Sequence, residues 1–362
     1  MTRVGILTPR VTSGDAVSND VFGMYQRLNS EGIEAAIFAD SSQGVDIPVR
    51  KRDQVNEFLG DPKDVFIYHH SVGWPSGIEL LESIGCRKAV KYHNVTPAEY
   101  FLPYNEDYAN ACSVGRQELA SIAQVPDAVL LSDSQFNMNE LVAVGADLGR
   151  CFVVPPFHHA DRLYELHADL SVLDSLSDGA VNILAVGRLA PNKAHHRLLE
   201  SFATYNRYYN SNSRLLIVGV QDPRLSGYIS SLRVLARQFG VAKKVVFAGA
   251  VSDESLKAHY LASTLFVTAS DHEGFCVPLV ESMALKLPIL AYGSTAIPET
   301  VDGCGVVWED YERHLFAESM DYLHRHESLR FDLSMNAQKR FQQVFSNSRI
   351  GDMLMDSLSA LL

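Results

Sequence analysis

Residues 264–293 read TLFVTASDHEGFCVPLVESMALKLPILAYG. The opening run, TLFVTAS, is apolar without alternation, as expected of a strand buried on both faces. A short polar and small-residue loop, DHEGFC, follows. Pro278 suits the first turn of a helix, where a missing N–H costs nothing. The spacing predicts a helix through residues 279–286 and then a second apolar strand, LPILAYG. Strand, loop, helix and strand in this order are the unit of a parallel sheet covered by helices.

The same unit recurs outward in both directions. VNILAVGRL, RLLIVGV and KVVFAGAV are further strands of the second half, separated by helical stretches. In the first half RVGILTP, EAAIFA, DVFIYHH, RKAVKYHN, DAVLLSDS and CFVVPP read as strands. SNDVFGMYQRLNSEG reads as a helix with Ser18 or Asn19 as N-cap and Gly32 as its stop. The fold class expected is α/β, with two doubly wound Rossmann-like domains facing a central cleft. Pro155 and Pro156 end the first series, and an irregular polar segment precedes the strand at 181. The expected domains are 1–155, 156–335 and a helical tail, 336–362, crossing back to the first. That tail is interrupted near Ser346–Ser348.

Bulk properties narrow the function classes. The chain has 362 residues, enough for two domains, with 47% hydrophobic and 20% charged residues. Its net charge of −12 argues against a nucleic-acid binder, because phosphate backbones attract basic surfaces. The five cysteines are scattered without a CxxC pair, which reads as reduced cytosolic thiols. The start, MTRVGILTPRVTSGD, lacks the apolar core of a signal peptide. No apolar run reaches the roughly 18–20 residues that a membrane helix needs. The expected location is cytoplasmic, with any membrane contact peripheral. Two local basic clusters, VRKRD (49–53, charged from Arg50 to Asp53) and CRKAVK (Arg87, Lys88, Lys91), fit a solvated face, an anionic headgroup or a phosphate-bearing acceptor.

In open parallel sheets ligands bind beyond the carboxyl ends of the strands. After the strand at 181–187 come Arg188 and Lys193, two cations suited to a diphosphate, though ordinary surface cations read the same way. After TLFVTAS come Glu273 and Gly274, then the helix start, whose amides favour a phosphate. Gly274 permits close approach to the backbone. Glu281 is expected in the first turn, where a carboxylate can accept two bonds from a ribose diol. Dipole complementation for Glu281 and plain solvation for Glu273 are the blander alternatives. His93 ends a first-half strand, either facing the cleft or bonded to a backbone carbonyl. His69 and His70 end the preceding strand, where packing is the expected role for the pair. Gly14 lies at the first strand–helix turn. Neither DxD, HExxH, a Walker loop nor histidines at ligand spacing occur, so no metal is expected.

VGRLAPNK, LLIVG, VVFAGAVSDESLKAHY and SDHEGFCVPLVESMALKLPILAYGSTAIPETV, in that order, resemble the donor half of the family 4 glycosyltransferases. GDAVSND and YHNVTP in the first half resemble bacterial members that build surface polysaccharides. The resemblance implies a retaining, metal-independent enzyme of GT-B fold using a nucleotide-sugar as substrate and no cofactor. It implies that Arg188 and Lys193 hold the donor diphosphate, with Leu279 and Val280 amides at phosphate. Glu281 would take the ribose, and Phe247–Ala250, with Gly249, would lie near the base. Glu273 and the amides of Gly274, Phe275 and Cys276 would hold the transferred sugar. His93 would lie at the reacting centre and Gly14 in the same cleft. Two departures stand out: Cys276 replaces a glycine common in the family, and Gly14 replaces a glycine pair.

The implied reaction moves a hexose to a glycan or lipid-linked acceptor in polysaccharide biosynthesis, at the cytoplasmic face of a membrane or in solution. Resemblance of YHNVTP to mannosyltransferases points to GDP-mannose, with a UDP-hexose next. Front-face attack and double displacement both remain open. A nucleotide-sugar epimerase and a non-enzymatic sugar-binding protein share the architecture. An epimerase would convert sugars without acceptor, and a binding protein would take free sugar.

Overall fold

The computed structural model describes residues 2–362. The chain folds into two compact units. The first holds residues through Glu99, Glu106–His158 and Phe345–Leu362; the second holds Tyr100–Asn105 and His159–Val344. The divisions therefore fall at 158/159 and 344/345 rather than 155/156 and 335/336. The short segment 100–105 belongs to the second unit, where the Tyr104 ring meets Tyr228 edge-on at 5.3 Å. Local apolarity gives no sign of this.

The first unit's sheet comprises β1 (Arg3–Thr12), β2 (Glu34–Gln43), β3 (Val49–Lys51), β4 (Val65–His70), β5 (Arg87–Tyr92), β6 (Val129–Ser132) and β7 (Cys151–Val153). Its order is β3-β2-β1-β4-β5-β6-β7, with every pairing parallel. The order reverses between β1 and β4, so their carboxyl ends flank the switch point where such sheets bind ligands. β3 is not among the sequence expectations; it lies inside the VRKRD cluster, whose charge hides its edge-strand character. The expected cap of the first helix also shifts. The helix is Ala16–Ser30 and its N-cap is Asp15, which accepts from the Ser18 N–H. Ser18 sits inside the first turn instead, and its hydroxyl accepts from the Thr12 N–H and donates to Asp15.

The final helix, Asn347–Leu358, packs into the first unit's core. Ile350, Leu354 and Leu358 are fully buried among Val21, Met24, Leu28 and the strand residues Val4 and Ile6. A π-helical turn, Phe341–Phe345, separates it from the preceding helix, Glu327–Arg340, close to the expected interruption.

The second unit's sheet comprises β8 (Val181–Val186), β9 (Ser213–Val218), β10 (Val245–Gly249), β11 (Leu265–Thr268), β12 (Ile289–Tyr292) and β13 (Val306–Trp308). Its order is β10-β9-β8-β11-β12-β13, again parallel throughout. β13, only three residues long, follows Gly303 and Gly305 and escapes the pattern of longer apolar runs. Its order reverses between β8 and β11. Arg188 and Lys193 follow β8, and Glu273 to Cys276 follow β11, so both groups stem from the strands flanking that reversal. The core on one face joins Phe202, Tyr205, Leu215, Leu265 and Phe316, all at most 1% exposed.

Candidate functional site

The second unit brings two of the expected residues, Lys193 and Glu273, into one bonded loop system. Pro191–Lys193 forms a single 3-10 turn. Asn192, buried inside it, accepts the Asp271 and His272 N–H groups on its backbone carbonyl and donates from its side chain to the His272 carbonyl. This clasp joins the β8 loop to the β11 loop. Asn192 is absent from the sequence expectations, because nothing in a lone asparagine marks a partner 80 residues away. With the loops joined, Lys193 Nζ lies 2.5 Å from Glu273 Oε2. Glu273 is buried at its backbone too: its N–H donates to Thr295 Oγ1, which donates back to the Glu273 carbonyl. Glu273 is therefore an ion-paired, buried carboxylate rather than a solvated one.

The helix after this loop is Val277–Ala284, with Pro278 in its first turn as expected. Its N-cap, Cys276, stands in the left-handed region at φ 73°, and its side chain makes no cap bond. Cβ crowding makes this conformation costly by about 1–2 kcal/mol for an L-residue, which accounts for glycine being the usual occupant. Burial pushes the Cys276 thiol well above its ordinary range, with the nearby Glu273 carboxylate adding to the effect. It is a poor nucleophile in this state. Thr300 Oγ1 donates to the Phe275 carbonyl, steadying the loop from behind.

Glu281 is the fifth residue of that helix, one turn later than expected. It is 3% exposed, hydrogen-bonded at one oxygen and approached by a histidine at the other. Tyr260 donates to Oε2 at 2.5 Å, and His159 Nε2 lies 3.2 Å from Oε1. Complementing the helix dipole therefore does not describe it. Burial, with Glu281 beside it, raises the Tyr260 hydroxyl far above its ordinary range, so it remains a donor. Neither Tyr260 nor His159 is legible in the sequence as a partner of Glu281.

Arg188 lies close enough to Asp222 to help lower that carboxyl, behind the larger effect of the Asp222–Arg224 bonds. Phe247 and Gly249 lie on the edge strand β10, where the register with β9 shifts between them. The Arg233 guanidinium covers the Phe247 ring at 4.8 Å. The Gly219 N–H donates to the Gly249 carbonyl, tying the ends of β9 and β10.

In the first unit Gly14 has φ 77°, and a Cβ built there meets nothing within 4 Å. The turn needs glycine for its backbone, and the space beside it is open. The His93 ring bonds side chains rather than the backbone carbonyl of the blander reading. Its Nδ1 bonds Asp133 Oδ2 at 3.0 Å, and its Nε2 meets His69 Nδ1 at 2.8 Å. Its side chain is 4% exposed. Since ionised Asp133 only accepts, His93 donates from Nδ1 and receives the His69 N–H at Nε2. Lys91, fully buried, pairs with Asp133 Oδ1 at 2.7 Å and donates to the Val154 carbonyl. Burial raises the Asp133 carboxyl, but His93 and Lys91 outweigh it and hold it below the usual range. Asp20, also fully buried, is raised by burial despite Lys91 and His93. His69 is pushed well down by burial, then by His93 and Lys91. The histidines, which sequence spacing leaves apart, are thus clustered by the fold. His70 has the expected packing role, bonding the Gly115 carbonyl from Nε2.

The basic clusters are largely consumed inside the first unit. Arg50 covers the Phe58 ring at 4.7 Å, and Arg52 pairs with Asp40 at 3.2 Å. Arg87 donates to the Leu361 carbonyl, and Lys91 is buried. Among the described residues no helix is long and apolar enough to cross a membrane.

Residues 175–340 match the family described as glycosyl transferases group 1. Mannosylfructose-phosphate synthase of Agrobacterium fabrum is 32% identical over 142 residues, 38% of this chain and 30% of that protein. CapM, a capsular polysaccharide biosynthesis glycosyltransferase of Staphylococcus aureus, is 30% identical over 47% of this chain and 43% of its own. A GDP-mannose-dependent phosphatidylinositol monomannoside mannosyltransferase of Mycobacterium tuberculosis is 28% identical over 33% and 31%. The matched stretch thus spans less than half the length of these relatives. Among solved structures, sucrose-phosphate synthase of Thermosynechococcus elongatus aligns with TM-score 0.80 at 16% identity, covering 100% of this chain and 99% of that one. Anabaena HepE in complex with UDP-glucose aligns at 0.77 and 15%, covering 99% and 100%. Such likenesses carry the fold, two parallel doubly wound sheets in one chain.

Proposed function

We propose that the chain is a group 1 glycosyltransferase of GT-B fold, on the match of its residues 175–340 to that family, and that it acts as a retaining hexosyltransferase. Its donor is a nucleotide-sugar and its acceptor a glycan or lipid-linked intermediate of polysaccharide biosynthesis. The observation that carries this reading is the Lys193–Glu273 pair, built from the loops after β8 and β11. A half-buried ammonium matched to a buried carboxylate is a seat whose partner a diphosphate can replace. Lys193 then exchanges carboxylate for phosphate, and Glu273 is released to accept hydroxyls of the sugar. Arg188 adds a guanidinium fork to the same diphosphate. The positive end of the Val277–Ala284 helix, near Leu279 and Val280, adds to the anion seat through its dipole, the Leu279 N–H itself being donated to the Cys276 carbonyl. Charge developing on the departing phosphate is stabilised by these groups, without a metal at the diphosphate. Glu281, held by Tyr260, takes the ribose diol, and Phe247 with Gly249 lies by the base. Gly274 and Phe275 line the sugar, and the bulk of Cys276 narrows its pocket.

GDP-mannose is the favoured donor and a UDP-hexose the next. Support comes from mannosyltransferases among the relatives, while HepE was solved with UDP-glucose. In the first unit, Gly14 and His93 serve the reacting side. His93 does so with both ring nitrogens bonded inward, so it acts as a fixed wall rather than a proton carrier. A lipid-linked acceptor would bring peripheral contact with the cytoplasmic membrane face.

The test is thermal melting with GDP and with UDP, followed by transfer assays on the matching sugar donors. Tighter binding gives the larger rise in melting temperature. Lys193→Ala is expected to lower turnover by about 10²–10³-fold, the scale of removing one preorganised charge-stabilising group, and Glu281→Ala to lower kcat/KM chiefly by raising the donor KM. Full activity in both variants would overturn the site.

A further inference from the structure

We infer that Asp20, His69 and His93 form a binding site for a divalent transition metal, with zinc the best match. The three side chains come from the first helix, the end of β4 and the residue after β5. Asp20 Oδ2 lies 3.8 Å from His69 Nδ1 and 3.5 Å from His93 Nε2. The two ring nitrogens are 2.8 Å apart. A point equidistant from these atoms lies about 2.0 Å from each, within the range of zinc–nitrogen and zinc–carboxylate bonds. The three atoms converge within 4.8 Å, and one or two neutral histidines with a carboxylate are ordinary zinc donors.

The surroundings are those of a metal site as well. A ligating histidine usually donates its other nitrogen to a carboxylate. His93 does so, from Nδ1 to Asp133 Oδ2 at 3.0 Å. Asp133 is fastened in turn by Lys91. Asp20 is oriented through its other oxygen, which accepts the Phe157 N–H at 2.7 Å. That leaves Asp20 Oδ2 fully buried, aimed at the histidines and without a hydrogen bond. A buried carboxylate oxygen in that condition calls for a cation. Two buried carboxylates, Asp20 and Asp133, also face a single ammonium, Lys91. One negative charge is left without a fixed partner.

Metal entry displaces only the hydrogen shared between the two rings. The proton on His69 Nδ1 moves to its Nε2, a buried atom with no hydrogen-bond partner. Nδ1 and His93 Nε2 then offer lone pairs to the ion. No residue of this triad belongs to the diphosphate groups of the second unit, so the site is compatible with transfer that uses no metal there. Sequence spacing hides it, because the donors stand at 20, 69 and 93.

The test uses tag-free full-length protein stripped with a chelator and titrated with zinc chloride alone. One equivalent is expected to bind and to raise the melting temperature, and cobalt(II) is expected to give the visible absorption of a four-coordinate site. Asp20→Asn keeps the bond to Phe157 and the shape of the side chain while removing the charge. It and His69→Gln should weaken zinc binding by at least 100-fold, whereas Asp133→Asn should weaken it about 10–100-fold, as loss of an outer partner does. Circular dichroism and melting without metal check that each variant is folded. Absence of stoichiometric zinc binding in the parent protein would overturn the inference, leaving a proton on Asp20 to balance the second carboxylate. Binding unchanged by Asp20→Asn and His69→Gln would overturn it too, by placing the metal elsewhere. Because the readout is metal binding, neither outcome depends on transferase activity.

Discussion

Cys276 shows how one residue can satisfy a backbone that disfavours it. At φ 73° it sits where glycine is free and other residues are strained, yet it is buried on all sides. Cys276→Gly removes the strain but adds unfolded-state entropy and deletes a buried thiol, so the terms oppose one another. Its stability should stay within about 1 kcal/mol of the parent. Cys276→Val keeps the strain and adds a β-branch that fits this conformation poorly. It should cost about 2 kcal/mol or more in urea denaturation. Tyr260 is the other informative residue. Tyr260→Phe strips Glu281 Oε2 of its donor and leaves a buried carboxylate oxygen unpaired, a loss of about 1–3 kcal/mol. If Glu281 binds the ribose, the donor KM should rise more than kcat falls. A selective fall in kcat would move Glu281 from binding to chemistry.

At the scale of elements, strand ends decide where loops can run. Gly219 ends β9 at φ 151°, and a Cβ there would stand 2.0 Å from the Gly187 carbonyl oxygen at the end of β8. The two chains cross too closely for any side chain. Gly219→Ala must push the β8 loop, which carries Arg188 and Lys193. The expected cost is about 1–3 kcal/mol of stability, the usual range for overpacking. Donor affinity should fall with it, read by calorimetry with the nucleotide. A fall in stability with unchanged affinity would show that the loop adjusts independently of β8. The strands themselves were legible because long apolar runs need no partner to be recognised. β3 and β13 were not, since three residues carry too little pattern and their pairing along a sheet edge supplies the rest.

At the scale of the whole molecule, buried histidines set the acid limb of stability. Burial lowers His70 to about 4 and His195 to about 3. For His195 the neighbouring Lys193 acts in the same direction. In the unfolded chain both titrate near 6.5, so below that pH the unfolded state binds protons that the folded state refuses. Stability is therefore complete above about 6.5 and is lost as pH falls toward the folded values. At pH 5 each should cost about 2 kcal/mol. Asp20 works the other way, because burial raises its carboxyl and so favours the folded state as pH falls. Urea denaturation at pH 7.5 and pH 5 should give a clear loss, smaller in His70→Gln than in the parent. Equal stability at the two values would mean that these histidines are hydrated. Division of the chain at 158/159 and 344/345 belongs to this scale as well, and the return of Leu354 to the first unit's core is what ends the second.

Much of this protein can be read along the chain. Unbroken apolar runs alternating with amphipathic segments determine parallel sheets, because each run must be covered on both faces. Residues 264–293 determine the strand–loop–helix unit and the order of Glu273, Pro278 and Glu281, since these are properties of neighbours in sequence. What the tertiary structure alone decided is which of those charges meet. Lys193 reaches Glu273 only because Asn192 ties two loops together across 80 positions. Glu281 is fixed by Tyr260 and His159, and Asp20 meets His69 and His93 at the carboxyl edge of another sheet. Such meetings depend on strand order and register, and those follow from packing between segments that carry no mark of one another.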